Sequence, residues 1–272
     1  MERRLDKRLA RLEHRLLGDP KDAARDRGSG PAVGRLDYPG AAVEMMARTK
    51  QERFRLRATE KEPWTVEWLD ASLGPGECLY DVGANVGAYS LMAAAGAAKA
   101  RVLAFEPGFA SFATLCENVA HNRVDDRVTP LPVALSDATQ VSTLAYGDLA
   151  SGKALHGLGG DPSEAGAVFN QTLLTYRLDD LVERFGLPLP NHLKVDIDGS
   201  EAAMLRGAER TLADAGLRSV MVEVSAREAT EIEALLARAG LEREHATERR
   251  VKDGRQVNHW YELWRRAAGP AY

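Results

Sequence analysis

The sequence of 272 residues predicts an α/β domain whose mostly parallel sheet carries helices on both faces. Three observations predict it. Short apolar runs, Cys78 to Val82, Arg101 to Phe105 and Leu193 to Ile197 among them, read as buried strands and alternate with helical stretches such as Ala88 to Ala95 and Phe109 to His121. A glycine-rich bend, Asp81-Val82-Gly83-Ala84-Asn85-Val86-Gly87, follows the first strand and opens a helix. The segment 258–264, rich in aromatic residues, reads as a closing strand, antiparallel and at or near the sheet edge.

Along the chain, Leu5, Leu9, Leu12 and Leu16 are spaced by four and three residues, which lines them on one face of a charged helix. Such a helix suits docking or a homo-oligomeric coiled coil, with a solvated arm or membrane-surface helix as the alternative. Positions 18 to 40 have the Gly/Pro composition of a linker, so the chain divides into a helix and linker over 1–40 and a catalytic domain over 41–272. That domain begins with helical stretches from 41 to 59 and from Pro63 to about Gly74. Further strands are read over Val128 to Leu135 and Ser219 to Val224, and further helices over Glu201 to Ala213 and Ala229 to Ala239. Gly147 to Gly166, rich in Gly, Ser and Asp, reads as a mobile loop of the kind that closes over substrates.

Composition narrows the function. A hydrophobic fraction of 44% and two cysteines fit a globular chain with reduced, buried thiols. No apolar run is long enough to cross a bilayer, and the charged amino terminus is unlike a signal peptide, so a cytoplasmic location is expected. A net charge of -4 gives no general attraction to nucleic acid, which favours a small-molecule or glycan partner.

The glycine bend points to the cofactor. Gly83 and Gly87 permit unusual torsions and close backbone approach, while Ala84 and Asn85 complete the turn. Asp81, at the strand end, is placed to accept from a ligand ammonium group. A dinucleotide loop would have its second glycine where this chain has Asn85. The spacing therefore favours S-adenosyl-L-methionine over a nicotinamide cofactor. Glu106, followed by Pro107 at the next strand end, is placed to bind both ribose hydroxyls. Ser136 and Asp137 end the third strand, where Asp137 can accept from the adenine amino group.

The second signal is Leu193-Lys194-Val195-Asp196-Ile197-Asp198-Gly199-Ser200-Glu201, in which Lys194, Asp196 and Asp198 alternate with apolar residues. In a doubly wound sheet this strand neighbours the first, so Asp81 and Asp196 flank one crevice. Asp196 is the candidate general base or acceptor-orienting residue, with Lys194 as its electrostatic partner. His156, in the mobile loop, is a further candidate base. Asp196, Asp198 and Glu223, with Glu201 nearby, form a candidate oxygen cluster for a divalent metal; Glu201 alternatively serves its own helix start.

These residues resemble the FkbM family of methyltransferases from about Pro63 to Trp264. The resemblance is carried by the two motifs above with Phe105-Glu106-Pro107, the Asn118 and Asn122 pair, Ala134-Leu135-Ser136-Asp137 and Leu178-Asp179-Asp180-Leu181. It implies the Rossmann-like class I methyltransferase fold, S-adenosylmethionine as donor and, commonly, O-methylation of hydroxyls on sugars, glycolipids, polysaccharides or secondary metabolites. The family often has Glu where this chain has Asp198. Two other readings stand beside this one: a nicotinamide-dependent oxidoreductase, and a non-catalytic scaffold that keeps the cofactor pocket.

Overall fold

The computed structural model describes residues 32–147, 149–152, 168–248 and 258–267, and the backbone of 157–158, 251–252 and 255–256. The leucine-spaced helix, the oligomer expected through it and most of the Gly147 to Gly166 stretch, His156 included, lie outside the described residues.

The described chain opens with a hairpin of β1 (Val33–Arg35) and β2 (Glu44–Met46), then α1 (Lys50–Arg55), α2 (Ala58–Lys61) and α3 (Pro63–Ser72). Where the sequence suggests one helical stretch over 41–59, Val43, Met45 and Ala47 instead alternate inward with the period of a strand. Asn122 acts as a partner for this strand, accepting from Glu44 N at 3.1 Å and donating to Glu44 O at 2.6 Å. Asn118 accepts from Met46 N at 2.8 Å. Leu36 and Tyr38, in the stretch assigned to the linker, are buried in the core, and Tyr38 Oη donates to Asp70 at 2.6 Å.

There follow β3 (Cys78–Val82), α4 (Ala88–Ala95), β4 (Arg101–Phe105), α5 (Phe109–Asn122), β5 (Val128–Leu131), β6 (Ala134–Leu135), β7 (Gln140–Tyr146), β8 (Gly157–Leu158) and β9 (Phe169–Tyr176). The rest comprises α6 (Leu178–Phe185), β10 (His192–Val195), α7 (Glu201–Arg206), α8 (Glu209–Ala213), β11 (Ser219–Ser225), α9 (Ala229–Arg238), β12 (Leu241–Ala246), β13 (Val251–Lys252), β14 (Arg255–Gln256) and β15 (His259–Arg266).

The main sheet has the order β12-β15-β11-β10-β3-β4-β5, with β15 antiparallel to both its neighbours and β3, β4, β5, β10 and β11 parallel. The closing strand is thus antiparallel, one place in from the edge. The edge itself is β12, whose Glu242, Arg243, Glu244 and His245 are exposed; charge on an edge strand discourages further pairing, and it hides the strand from a search for apolar alternation.

Val128 to Leu135 is not one strand. β5 stops at Leu131, before Pro132, and tolerates Pro130 because it lies at the sheet edge. β6 instead joins a second sheet of order β6-β9-β7-β8. The expected helix from Glu201 to Ala213 is likewise two, α7 and α8. They part at Gly207, where an added Cβ would lie 2.0 Å from the Ser136 carbonyl oxygen.

Side-chain alternation gives the main sheet two apolar faces. Leu79, Val102, Ala104 and Val128 pack with Trp68, Leu91, Met92 and Leu115 of α3 to α5. Tyr80, Leu103, Phe105, Leu193, Val195 and Val222 pack with residues of α6 to α9 such as Leu178, Leu205, Leu212 and Leu236. On β15, Trp260 and Trp264 share the second face with Glu262, which accepts from their ring nitrogens at 2.8 and 3.0 Å. Lys194 stands opposite Asp81 in the β10–β3 register, so this pair faces α4 together.

Candidate active site

The chain runs from β3 outward to β4 and β5 and later returns to β10 on the other side of β3. The crevice between the carboxyl ends of β3 and β10 is therefore the switch point of the sheet. The glycine bend lies across it with positive φ at Gly83 (82°), Asn85 (51°) and Gly87 (92°). At Gly83 an added Cβ would sit 1.9 Å from the Asp196 carbonyl oxygen, so the close approach requiring glycine is to the loop after β10. Gly87, which caps α4, is pressed similarly against Leu115, 2.5 Å from an added Cβ.

Glu106 ties the bend down. Its Oε2 accepts from Asn85 N and its Oε1 from Gly108 N, both at 2.8 Å. Burial pushes its carboxyl up to about 7, although both amides favour the ionised form. Each oxygen keeps a lone pair for a further donor. Glu106 and Pro107 line a cavity with Gly83 and Asn85 on one side and Phe105, Val133, Ala134, Leu135, Leu144 and Ile197 as apolar walls. A carboxylate beside apolar walls suits a nucleoside: the acid for ribose hydroxyls, the walls for a base.

Other expected contacts are placed elsewhere. Ser136 and Asp137 are not in this lining; Asp137 instead accepts from Arg206 at 2.8 and 3.1 Å, and that pairing holds its carboxyl below its usual range. Asp81 is fully buried and lines none of the described cavities. Its Oδ2 accepts from Ser90 at 2.6 Å, while its Oδ1 has no hydrogen-bond partner and lies 3.6 Å from Lys194 Nζ.

Lys194 spans the two acids, with Nζ 3.4 Å from Asp196 Oδ2 and 5.0 Å from the centre of the Tyr89 ring. Burial alone would lower the ammonium pKa; Asp196 and Asp81 outweigh it and raise it. Asp196 is pushed up by burial, yet Lys194, Lys61 and Arg55 bring it below its ordinary value. Asp196 therefore stays a carboxylate at neutral pH. Tyr261 Oη also donates to its Oδ2, at 3.1 Å.

On the far side of Asp196 opens a cleft of about 410 Å³ whose walls include Arg55, Lys61, Glu223, His259 and Tyr261. It shares Gly83, Asn85, Asp196 and Asp198 with the cavity beside Glu106. Asp196, Asp198 and Glu223 converge there, one oxygen of each lying within 4.8 Å of the others. Burial, then Asp196, Glu201 and Asp198, push Glu223 up to about 9. Glu201 does not join the trio: its oxygens accept from Ile197 N and Gly199 N at 3.0 to 3.1 Å, closing the loop before α7.

The family model for the methyltransferase FkbM domain matches residues 81–246, from the acid of the glycine bend through β12. The chain belongs to the FkbM methyltransferase family. The hexuronic acid methyltransferase AglP of Haloferax volcanii is 30% identical over 226 residues, which cover 82% of this chain and 88% of that protein. The 31-O-demethyl-FK506 methyltransferase FkbM of Streptomyces tacrolimicus is 30% identical over 162 residues, 50% of this chain and 61% of that protein. A solved methyltransferase FkbM from Methylobacillus flagellatus aligns at 18% identity and a TM-score of 0.45, over 79% of this chain and 52% of that one.

Within this FkbM-family chain, four residues of the crevice carry no sequence signal for a site. Arg55 and Lys61 come from the arm upstream of the family match; Tyr89 on α4 lies under Lys194 and donates to Glu62 at 2.6 Å, and Tyr261 on β15 donates to Asp196. The Asn118 and Asn122 pair gains a physical role. Asn118 Nδ2 donates to Val86 O at 2.8 Å while its Oδ1 holds β2, so one buried amide joins the glycine bend to the N-terminal arm.

Proposed function

We propose that this chain transfers a methyl group from S-adenosylmethionine to an oxygen of a carbohydrate or natural-product acceptor, with a hexuronic acid glycan as the first acceptor to test. The observation that carries this reading is the junction of the nucleoside cavity with the acid-lined cleft at Asp196. The hexuronic acid methyltransferase relative supports the glycan class.

The bound donor would supply an electrophilic methyl group on a sulfonium. Glu106 would hold its ribose, and the walls from Val133 to Leu135 its base. Asp196 sits where the two cavities meet, kept ionised by Lys194 and steadied by Tyr261, and is placed to accept the proton of an acceptor hydroxyl. Alignment of acceptor and methyl carbon in a fixed site carries much of such a rate.

The acid trio calls for a positive counterpart. We take it to be a proton on Glu223, whose carboxyl is pushed up to about 9, in preference to a divalent cation held by Asp196, Asp198 and Glu223. Turnover after chelation, with and without added Mg²⁺, separates the two.

The test of the function is transfer of labelled methyl from S-adenosylmethionine to hexuronic acid glycans, neutral glycans and macrolide alcohols. Label retained through alkali marks an ether, formed at a hydroxyl; label released marks an ester, formed at a carboxylate, where no base is needed. Donor binding with no transfer to any acceptor would favour the scaffold reading.

A further inference from the structure

S-adenosylmethionine ends in an amino acid, so a carboxylate accompanies the sulfonium into the crevice. The walls there are acidic, and a carboxylate set among acids needs a cation, because an unpaired buried charge is costly. Neither sequence motif supplies one. Lys194 is already enclosed between Asp81 and Asp196, and Lys61 Nζ pairs with Glu62 at 2.6 Å.

Arg55 is differently placed. It is the last residue of α1 and lines both the recess above Gly83, Ala84 and Asn85 and the cleft beyond Asp196. Its Nε donates to Gly152 O at 3.2 Å, which anchors the guanidinium. Among the described residues no carboxylate forms an ion pair with it, so both terminal nitrogens remain to donate. The helix that carries it is fixed in turn. Thr49 and Glu52 form a capping box at its start, and an added Cβ on Gly152 would lie 3.1 Å from the Gln51–Glu52 backbone. The field of Arg55 reaches both Asp196 and Glu106, the two acids between which an extended donor would run.

We propose that Arg55 binds the α-carboxylate of the methyl donor as a two-pronged guanidinium–carboxylate pair, making the N-terminal arm part of the cofactor site. This inference rests on the methyl-donor reading above. Arg55 lies upstream of the stretch matched by the family model, so the family motifs do not mark it.

Calorimetry with two ligands tests it. S-adenosylhomocysteine has the amino acid end, whereas 5′-methylthioadenosine has the same nucleoside and thioether without it. Arg55→Ala is expected to weaken S-adenosylhomocysteine about tenfold or more while leaving 5′-methylthioadenosine unchanged, and Arg55→Lys to keep part of the affinity. Unchanged methylthioadenosine binding also shows that the variant is folded. Equal loss of both ligands would mean that Arg55 only shapes the bend, and overturns the proposal. So would unchanged S-adenosylhomocysteine affinity with a raised acceptor KM, which would give Arg55 to the acceptor. A wild-type protein that binds neither ligand would remove the parent reading first, a result distinct from either of these.

Discussion

Tyr261 donates to Asp196 Oδ2 at 3.1 Å, the same oxygen that lies 3.4 Å from Lys194 Nζ. Both described contacts thus fall on one oxygen of the carboxylate, Oδ2, which in the proposed mechanism leaves Oδ1 for the acceptor. Tyr261→Phe removes one of the influences that lower the Asp196 pKa. The acid limb of the pH–rate profile, where a carboxylate base becomes protonated, should therefore move to higher pH. An unmoved limb with an unchanged KM would take Tyr261 out of the chemistry.

Glu106 has a different proposed task, holding the donor's ribose, because it ties down the glycine bend and lines the cavity beside it. Glu106→Ala should weaken S-adenosylhomocysteine by about 10- to 100-fold, the scale of losing charged hydrogen bonds. Titration calorimetry reads this directly, and an affinity equal to wild type would place the ribose elsewhere.

Asn118→Ala would leave Val86 O and Met46 N without their partner in a buried setting. We expect a loss of about 2–6 kcal/mol, since each of the two orphaned groups costs about 1–3 kcal/mol. Thermal unfolding should show this as a drop of about 2–4 °C per kcal/mol for a chain of this size. Cofactor affinity should fall too, because the bend loses its tie to the arm. A melting temperature within a degree of wild type would show that water or a neighbour replaces the amide.

Glu223 gives a pH signature of stability. Its carboxyl moves from an ordinary value of 4.5 to about 9 on folding, so between these limits the folded state binds more protons than the unfolded state. Its contribution is full below about 4.5 and is lost as pH rises towards 9. Glu223→Gln should flatten this fall and be more stable than wild type at pH 8 to 9, measured by thermal unfolding with chelator present. Parallel wild-type and variant curves would deny the proton on Glu223.

The strands bearing the site were legible because they obey local rules. Gly83 and Gly87 announce positive φ, and alternation places Lys194 beside Asp81 and Asp196. What escaped was set by distant partners. Asp81 at a strand end reads as a ligand contact; its burial between Lys194 and Ser90 was not legible. Asp137 reads as an adenine acceptor; its pairing with Arg206, 69 residues on, was not legible. Tyr261 lies 65 residues from Asp196, and only the insertion of β15 beside β11 brings them together. The hairpin strand β2 had its own alternating signal at Val43, Met45 and Ala47, although the surrounding helical stretch obscured it.

The central claim is that the carboxylate at the meeting point of the two cavities serves acceptor chemistry and not donor binding. Its most direct test is Asp196→Asn, with methyl-transfer turnover measured beside S-adenosylhomocysteine affinity on the same preparation. Turnover should fall by about 10²–10⁴-fold, the usual worth of a general base, with affinity changed by no more than about twofold. Wild-type turnover in this variant, or a loss of affinity as large as the loss of turnover, would contradict the account.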